Sequence, residues 1–366
     1  MLVDRTMIKK NLIGVKTTKI YCRPFCPAKA PLPQNIVHFK TAAQAERDGY
    51  RACKRCFPDF PVEKWNDGRT SVFLKLPKEF DFANCLKFLA RSPAEPCHLV
   101  KRNTLYKVLK FENDPILLKI QLQQQHQKSL SIAFLTKPPI KSIRVKVAKY
   151  VWHWFDLETN LKPFFRMAKS DAVLKNIADT NFGLRIISIP DLFEAICWAV
   201  MGQHINLNFA YTLKKRFVES FGERFRIDGR IFYLFPTPEM IAKQNVSKLR
   251  QLQFTEKKSK YVIELAQKMK DGTFSKNTLL EKDSFKLVKK ELMRLHGVGK
   301  WTAEYVCLRC LKDPAAFPVD DVGLQNAIKQ QLHLSAKPSV DEIYKFSRHW
   351  KNWEAYATFY LWNSLM

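Results

Sequence analysis

The sequence predicts a multidomain protein of the α+β class, built from three regions of different character. Four cysteines in two close pairs mark an irregular opening region. Short segments that alternate between apolar and polar residues follow it, and nearly every segment beyond Lys141 has helical periodicity. We therefore expect a cysteine module at residues 1–65, a mixed α+β sheet domain at 72–140 and an all-α domain at 141–366.

The composition favours a polyanionic partner. The 366 residues include 62 Lys and Arg against 34 Asp and Glu, a formal net charge of +28. A field of that sign attracts nucleic acid and promotes counterion release from phosphates. An acidic membrane is the competing partner, but the sequence has no apolar run long enough to span a bilayer. The opening residues lack the apolar core of a secretory signal, which predicts a cytoplasmic protein.

The opening region predicts a metal site. Two close cysteine pairs give four thiolates, which tetrahedral zinc satisfies with no open position. The alternative is four unrelated buried cysteines, which the pairing disfavours. Nearby arginines place positive charge where a DNA backbone can lie. The predicted zinc ligands are Cys22, Cys26, Cys53 and Cys56, and the flanking arginines are Arg23, Arg51 and Arg55.

The sheet domain is predicted from two alternating segments at residues 71–76 and 116–122. A helix at residues 81–90 lies between them, and the Asp81 side chain can cap its first turn. The polar stretch 63–69 that precedes this region contains Asn, Asp and Gly, which is typical of a linker.

In the helical region a tight glycine turn precedes two adjacent carboxylates. Gly297 and Gly299 can turn the chain between two helices and present backbone N–H groups to an anion. Lys300 adds charge, and Thr302 follows in the first turn of the next helix. A carboxylate a short helix away can stabilise positive charge that develops on a sugar held at that turn.

Two aspartates compete for that role. Either Asp320 or Asp321 can face the sugar, while the other can cap the helix that begins near Val322. Their spacing does not distinguish the two arrangements. Both depend on where the following helix begins.

Three aromatic residues of the helical region are candidates for stacking on a cationic ligand. Trp301 and Tyr305 lie four residues apart on one helical face, and Trp362 follows near the end of the chain. Aromatic faces attract a cationic base by cation–π stacking. Ordinary helical core is the alternative fate of such residues.

Residues 17–26 and 49–56 resemble the N-terminal zinc domain of the bacterial adaptive-response protein that repairs methyl phosphotriesters. The resemblance implies one zinc ion and a methyl transfer from a DNA phosphate to Cys22, whose thiolate is a nucleophile. Lys19 stands where that family usually has glycine. A purely structural zinc knot is the alternative reading of this module.

Residues 191–366 resemble the helix-hairpin-helix DNA glycosylases, close to 3-methyladenine DNA glycosylase II. The resemblance rests on residues 191–206, on the glycine turn with its downstream aspartate, and on the tryptophan-rich segment 350–362. It implies a TBP-like sheet domain, Asp321 as the catalytic carboxylate, and a base pocket formed by the three aromatic residues. It also implies a monovalent cation on the hairpin carbonyls of Met293, Leu295 and Gly297.

The same resemblance assigns the loop that contains Gln203 and His204 to the space vacated by an extruded base. The alternative for His204 is a surface histidine on a helix turn. Trp301 stands where lyase-competent relatives carry lysine, so the resemblance implies monofunctional hydrolysis without a Schiff base. No cysteine cluster follows the last predicted helix, so no iron–sulfur cluster is expected.

Two functions remain open at this stage. One is a monomeric, nucleoid-associated glycosylase that excises alkylated purines, 3-methyladenine and 7-methylguanine, from double-stranded DNA in base excision repair. The other is a non-catalytic, methylation-sensing DNA-binding or regulatory protein. The aspartate after the hairpin and the aromatic trio favour the enzyme.

Overall fold

The N-terminal module is a small sheet with a core of its own. The computed structural model describes residues 12–22, 26, 30–40, 42–53, 58, 65–111, 114–123 and 128–366. The first sheet has the order β3-β1-β2-β4, with β2 and β4 parallel and the other pairs antiparallel. Its elements are β1 (Leu12–Val15), β2 (Ile20–Cys22), a 3-10 turn (Pro33–Asn35), β3 (Ile36–Phe39), α1 (Ala42–Arg47) and β4 (Arg51–Ala52).

The turn between β1 and β2 contains Lys19, at the position where the similar zinc domains usually have glycine. Lys19 has φ 50°, a left-handed conformation that glycine adopts without strain. Its ammonium group lies 4.5 Å from the centroid of the Tyr50 ring, and Tyr50 belongs to the buried core of this module. A cation–π contact therefore accompanies the unfavourable backbone conformation of Lys19.

The second sheet is antiparallel throughout, in the order β5-β6-β10-β9-β8-β7. Burial alternates along β6, as the sequence pattern predicts, and also along β10. The predicted segment 116–122 lies in β9. The Asp81 carboxylate accepts a hydrogen bond from the amide of Asn84 at 2.8 Å and caps α2, as predicted. The elements are β5 (Trp65–Asp67), β6 (Ser71–Lys75), α2 (Phe82–Leu89), β7 (Leu99–Lys101), β8 (Thr104–Phe111), β9 (Asp114–Gln123) and β10 (Ser129–Phe134).

The stretch predicted as a linker contains the edge strand of this sheet. Trp65, Asn66 and Asp67 pair with β6, and the Trp65 side chain is buried. The polar composition that suggested a linker reflects the exposed outer residues of the edge strand and the turn that follows it.

The remaining residues are mainly helical. The helical periodicity predicted beyond Lys141 is interrupted by one loop within 192–221 and another within 246–270. A two-stranded hairpin that the periodicity did not reveal lies between these two ranges. The elements are α3 (Lys141–Trp154), α4 (Lys162–Ala168), α5 (Lys175–Thr180), α6 (Leu192–Gly202), α7 (Leu207–Phe221), β11 (Arg224–Ile227), β12 (Arg230–Tyr233), α8 (Pro238–Ile241), α9 (Val246–Gln251), α10 (Glu256–Lys270), α11 (Lys276–Leu280), α12 (Phe285–Leu292), α13 (Lys300–Val306), α14 (Val322–Gln331), α15 (Val340–Phe346) and α16 (Glu354–Asn363). A wider helical turn, Cys307–Leu311, continues α13.

The second sheet and the helices share one continuous hydrophobic core. The ring of Phe88 on α2 lies 4.5 Å from the ring of Phe359 on α16, centroid to centroid. Arg185, which is fully buried, donates hydrogen bonds to the backbone carbonyl of Glu79. These contacts hold α16 and the segment between α5 and α6 against the sheet domain. Across the described part of the chain, every helix is too short or too polar to cross a membrane.

Candidate active site and metal centre

The carboxylate of Asp321 lies at the start of α14, between two tryptophans. Its Oδ1 accepts hydrogen bonds from the amide of Leu324 and from the indole N–H of Trp362, both at 2.7 Å. Its Oδ2 accepts one from the indole N–H of Trp301, also at 2.7 Å. The helix cap fixes the carboxylate at the point where α13 and α16 bring the two indoles together.

The structure assigns the two aspartates differently from both sequence alternatives. Asp321 is the residue that caps α14 and also faces the tryptophans, while Asp320 is exposed. The alternatives had assigned capping and the sugar-facing position to different residues. One carboxylate can serve both because it has two oxygens and several lone pairs.

The aromatic trio closes around this carboxylate. Tyr305 lies 5.5 Å from Trp301 and 5.6 Å from Trp362 between ring centroids, at interplanar angles of 30° and 34°. The two indoles are half-buried, whereas Tyr305 is buried. Tyr305 therefore forms the back wall of the cluster, and the tryptophans are its accessible members.

Two residues behind Tyr305 were not identified from the sequence. The Tyr305 hydroxyl accepts hydrogen bonds from the indole N–H of Trp198 at 2.7 Å and from Nη1 of Arg309 at 2.9 Å. Both residues are buried, and both occur in strongly apolar helical segments. A charged residue in such a segment is the only signal that pointed to Arg309.

The hairpin between α12 and α13 requires glycine at Gly297. Its φ is 78°, and a Cβ there would lie 2.0 Å from the ring of Tyr261. Gly299 is the N-cap of α13 and has no side chain to offer the first helical amides. Lys300 is exposed beside them, whereas Thr302 is buried.

The loop that follows α6 is bound to this hairpin. The side-chain amide nitrogen of Gln203 donates to the carbonyl of Gly297 at 2.8 Å and to the hydroxyl of Thr302 at 2.9 Å. His204 is exposed and has φ 55°. Gln203 thus faces the protein, and His204 is the residue of this pair that faces solvent.

Lys258 on α10 makes a second connection to the same loop. Its Nζ donates to the carbonyl of Met201 at 2.9 Å and to the carbonyl of Gln203 at 2.7 Å. The residue is buried, and burial lowers its pKa. Lys258 was not identified from the sequence because it stands among other lysines that resemble a solvated helix face.

Two of the three carbonyls named for a monovalent cation already accept hydrogen bonds. The Gly297 oxygen accepts from Gln203, and the Leu295 oxygen accepts from the amide of Val298 at 3.1 Å. A carbonyl has a second lone pair, so a cation there stays a prediction.

Three of the four predicted zinc ligands converge in the N-terminal module. The Sγ atoms of Cys22, Cys26 and Cys53 lie within 4.8 Å of one another, and those of Cys26 and Cys53 are 3.7 Å apart. Ligands at 2.3 Å around a tetrahedral zinc ion are separated by about 3.8 Å, so this spacing fits the metal. Cys56, Arg23 and Arg55 lie outside the described residues.

The strands explain the convergence. Cys22 ends β2, and Cys53 follows β4, which pairs in parallel with β2 through Tyr21 and Ala52. Because the two strands are parallel neighbours, both thiols lie at the same end of the strand pair. Cys22 and Cys26 are half-buried, Cys53 is buried, and Arg51 is exposed.

Comparison with known proteins finds three family models that match successive parts of the chain. Family models match residues 3–59 (metal binding domain of Ada), 78–196 (8-oxoguanine DNA glycosylase, N-terminal domain) and 197–352 (HhH-GPD superfamily base excision DNA repair protein). A DNA-3-methyladenine glycosylase of Bacillus subtilis is 42% identical over 303 residues, which are 82% of this chain and 99% of that protein. The chain belongs to the DNA-3-methyladenine glycosylase family.

Two further relatives of this glycosylase family member are informative. The regulatory protein Ada of Salmonella typhimurium is 46% identical over 56 residues, 15% of this chain and 16% of that protein. A 3-methyladenine DNA glycosylase structure from Archaeoglobus fulgidus covers 79% of this chain and 97% of that chain with a TM-score of 0.68. At 20% identity that likeness supports the fold alone. The predicted resemblance to both families is confirmed.

Proposed function

We propose that this protein is a monofunctional DNA glycosylase that hydrolyses the N-glycosidic bond of alkylated purines, 3-methyladenine and 7-methylguanine, in double-stranded DNA. One observation carries the proposal: the Asp321 carboxylate is held by the indole N–H groups of Trp301 and Trp362. A negative charge and open aromatic faces therefore occupy one site. An alkylated purine is cationic, and the aromatic faces can stack on it. Its loss leaves positive charge on the sugar, which the carboxylate can stabilise.

The reaction follows from these groups. The cationic base stacks on the half-buried indoles and already carries the charge that makes it a good leaving group. As the glycosidic bond breaks, Asp321 stabilises the oxocarbenium-like sugar and orients water towards the anomeric carbon. Trp301 supplies no amine for a Schiff base, so the expected product is an abasic site with an intact backbone.

The surroundings of the carboxylate suit DNA. In this proposal Gly297, Gly299 and the first amides of α13 hold a phosphate, with Lys300 as added charge and the hairpin carbonyls as ligands of a monovalent cation. His204 fills the space left by the extruded nucleotide. The formal charge of +28 supports binding to double-stranded DNA. In this proposal the protein acts as a monomer at the nucleoid.

The decisive experiment compares two neighbouring carboxylates. On methylated duplex DNA the parent protein should release free 3-methyladenine and leave alkali-labile sites. Asp321→Asn keeps an oxygen for the helix cap but removes the charge, so we expect a loss of about 100- to 1000-fold in the single-turnover rate. Asp320→Asn, at an exposed position, should retain the parent rate.

Two outcomes would contradict the proposal. Equal rates for Asp321→Asn and the parent protein would remove the catalytic carboxylate. Binding of methylated DNA without any base release would instead favour the non-catalytic, methylation-sensing alternative.

We further propose that Cys22, Cys26, Cys53 and Cys56 hold one zinc ion and that Cys22 accepts a methyl group from a methylphosphotriester. Zinc keeps the thiols deprotonated. The Cys22 sulfur attacks the methyl carbon, the carbon–oxygen bond breaks, and the phosphate diester leaves as an anion. The burial of Cys53 makes it a poor acceptor, while the half-buried Cys22 is accessible.

Intact-mass analysis tests the methyl transfer. After exposure to methylphosphotriester DNA the parent protein should gain the mass of one methyl group, and peptide mapping should locate it on Cys22. An unchanged mass with zinc still bound would support the purely structural reading. Modification of Cys26 instead would overturn the choice of acceptor.

A further inference from the structure

Three hydrogen bonds converge on the last residues before His204. The backbone carbonyls of Met201 and Gln203 both accept from Lys258, and the Gln203 side chain donates to the hairpin. The short connection between α6 and α7 is therefore attached on one side to α10 and on the other to the hairpin. Asn206 then caps α7 by accepting from the amide of Phe209 at 2.8 Å.

The buried ammonium group of Lys258 must be stabilised by its hydrogen-bond partners. Burial of an ammonium group is unfavourable unless its protons are satisfied, and it also restricts a long side chain. Here Nζ lies against the carbonyl of Met201, one of the acceptors left without a partner at the end of α6, where the helix dipole is negative. The same ammonium group also reaches the carbonyl of Gln203, beyond the helix.

The consequence is a fixed path for the next residue. Two carbonyls bound to one ammonium group set the direction in which the chain leaves α6. His204 then adopts its left-handed conformation and remains exposed, although it lies next to anchored residues. An isolated loop residue in that conformation would be expected to relax unless its neighbours held it.

We propose that Lys258 is a positioning residue for the glycosylase reaction, which holds His204 in place through the backbone of Met201 and Gln203. This inference rests on the proposed function. It goes further by linking base extrusion to phosphate binding. Because Gln203 also binds Gly297 and Thr302, the tip of the loop and the hairpin move as one unit. A phosphate held at the hairpin then fixes where His204 enters the duplex.

Lys258→Met tests this role, with Lys260→Met as the matched control. Both changes remove one lysine charge from α10, but Lys260 is exposed and pairs with Glu256. The substrate is a duplex with 7-methylguanine and 2-aminopurine beside it, whose fluorescence rises when the stack opens. We expect Lys258→Met to lose most of this rise and to slow single-turnover base release about 10- to 100-fold. Its affinity for undamaged duplex should equal that of Lys260→Met.

Two further variants keep the test decisive. Lys258→Arg retains a charged donor and should restore the fluorescence rise and most of the rate. Gln203→Met removes the hairpin attachment and should reproduce the loss if Lys258→Met does not fold. Parent-like fluorescence and rate in folded Lys258→Met would overturn the positioning role. The same result in Gln203→Met would overturn the link between the loop and the hairpin. Absence of base release by the parent protein would instead overturn the proposed function.

Discussion

The Asp321 carboxylate accepts hydrogen bonds from one backbone amide and two indoles. At the residue scale, this arrangement makes the helix cap part of the proposed active site. The cap holds Oδ1, and each indole donates to a different oxygen, so the carboxylate has a single orientation before any substrate arrives. Such preorganisation is how an enzyme stabilises charge without rearranging its groups during the reaction.

Trp362→Phe should separate the indole N–H from the ring. Phenylalanine keeps an aromatic face but removes the donor to Oδ1, so we expect a several-fold fall in the single-turnover rate and about 1 kcal/mol lower stability. The rate comes from base release and the stability from urea denaturation. Trp353→Phe, which precedes the same helix, is the control and should leave the rate unchanged. An equal fall in both variants would mean that the effect is structural.

The residues of the active-site cluster were predictable, but their division of labour was not. Helical spacing placed Trp301 and Tyr305 on one face, and the motif pointed to Asp321. The helix cap and the contacts with both indoles fall on one carboxylate, that of Asp321. Local periodicity cannot show this, because Trp362 lies on a helix distant in the sequence. Arg309 and Trp198 were missed for the same reason.

At the element scale, the parallel strands β2 and β4 are joined at their ends by the proposed zinc site. Their ends carry Cys22 and Cys53, while among the described residues of this module the hydrophobic core has four buried members, Tyr21, Phe39, Ala45 and Tyr50. So small a core contributes little stability by itself, and metal binding in such modules is part of the folding free energy.

Removal of the metal should therefore unfold the N-terminal module alone. We expect a strong chelator to release about one zinc per chain and to expose β1–β4 to proteolysis, since small metal sites couple binding to folding. Base release by the rest of the protein should be unchanged, because the sheet and helices share a separate core. A parallel loss of glycosylase activity and metal would show that the module supports the active site.

Elements were predicted best where one periodicity prevails. The strands β6 and β9 and the helix α2 lie where the sequence predicts them. Long helical runs were predicted without their breaks, because the residues at the loops around Gln203 and Gln253 do not interrupt the apolar pattern. The edge strand β5 was missed because its polar residues face solvent.

At the scale of the whole molecule, a buried ion-pair cluster joins the sheet domain to the helices. Lys214 on α7 lies 2.9 Å from Glu95, which follows α2, and 3.0 Å from Glu194 on α6. Burial by itself raises the pKa of Glu95, but the charges of Lys214 and His98, together with hydrogen bonds from Lys214 and the Cys97 amide, lower the pKa to about 2. Breaking such a buried pair leaves an uncompensated charge.

Stability should fall in acid because of this pair. The ordinary pKa of a glutamate is 4.5, whereas that of Glu95 in the folded protein is about 2. The ion pair therefore contributes fully to stability above pH 4.5, and this contribution is lost as the pH falls towards about 2. Lys214→Met should cost about 3–5 kcal/mol at neutral pH and flatten this acid dependence. Urea denaturation from pH 7 to 2.5 measures both. Lys215→Met, at an exposed neighbouring position, should leave the profile unchanged; an identical profile for the Lys214 variant would contradict the assignment.

The left-handed backbone at His204 has an evolutionary consequence. Asparagine, aspartate and glycine accept that conformation readily, whereas valine and isoleucine do not. The backbone conformation at position 204 therefore restricts the residue types that can replace histidine there, whatever lesion the protein binds. Changes in lesion preference should arise more freely at exposed Val322, beside the carboxylate, where the helical backbone admits nearly every side chain.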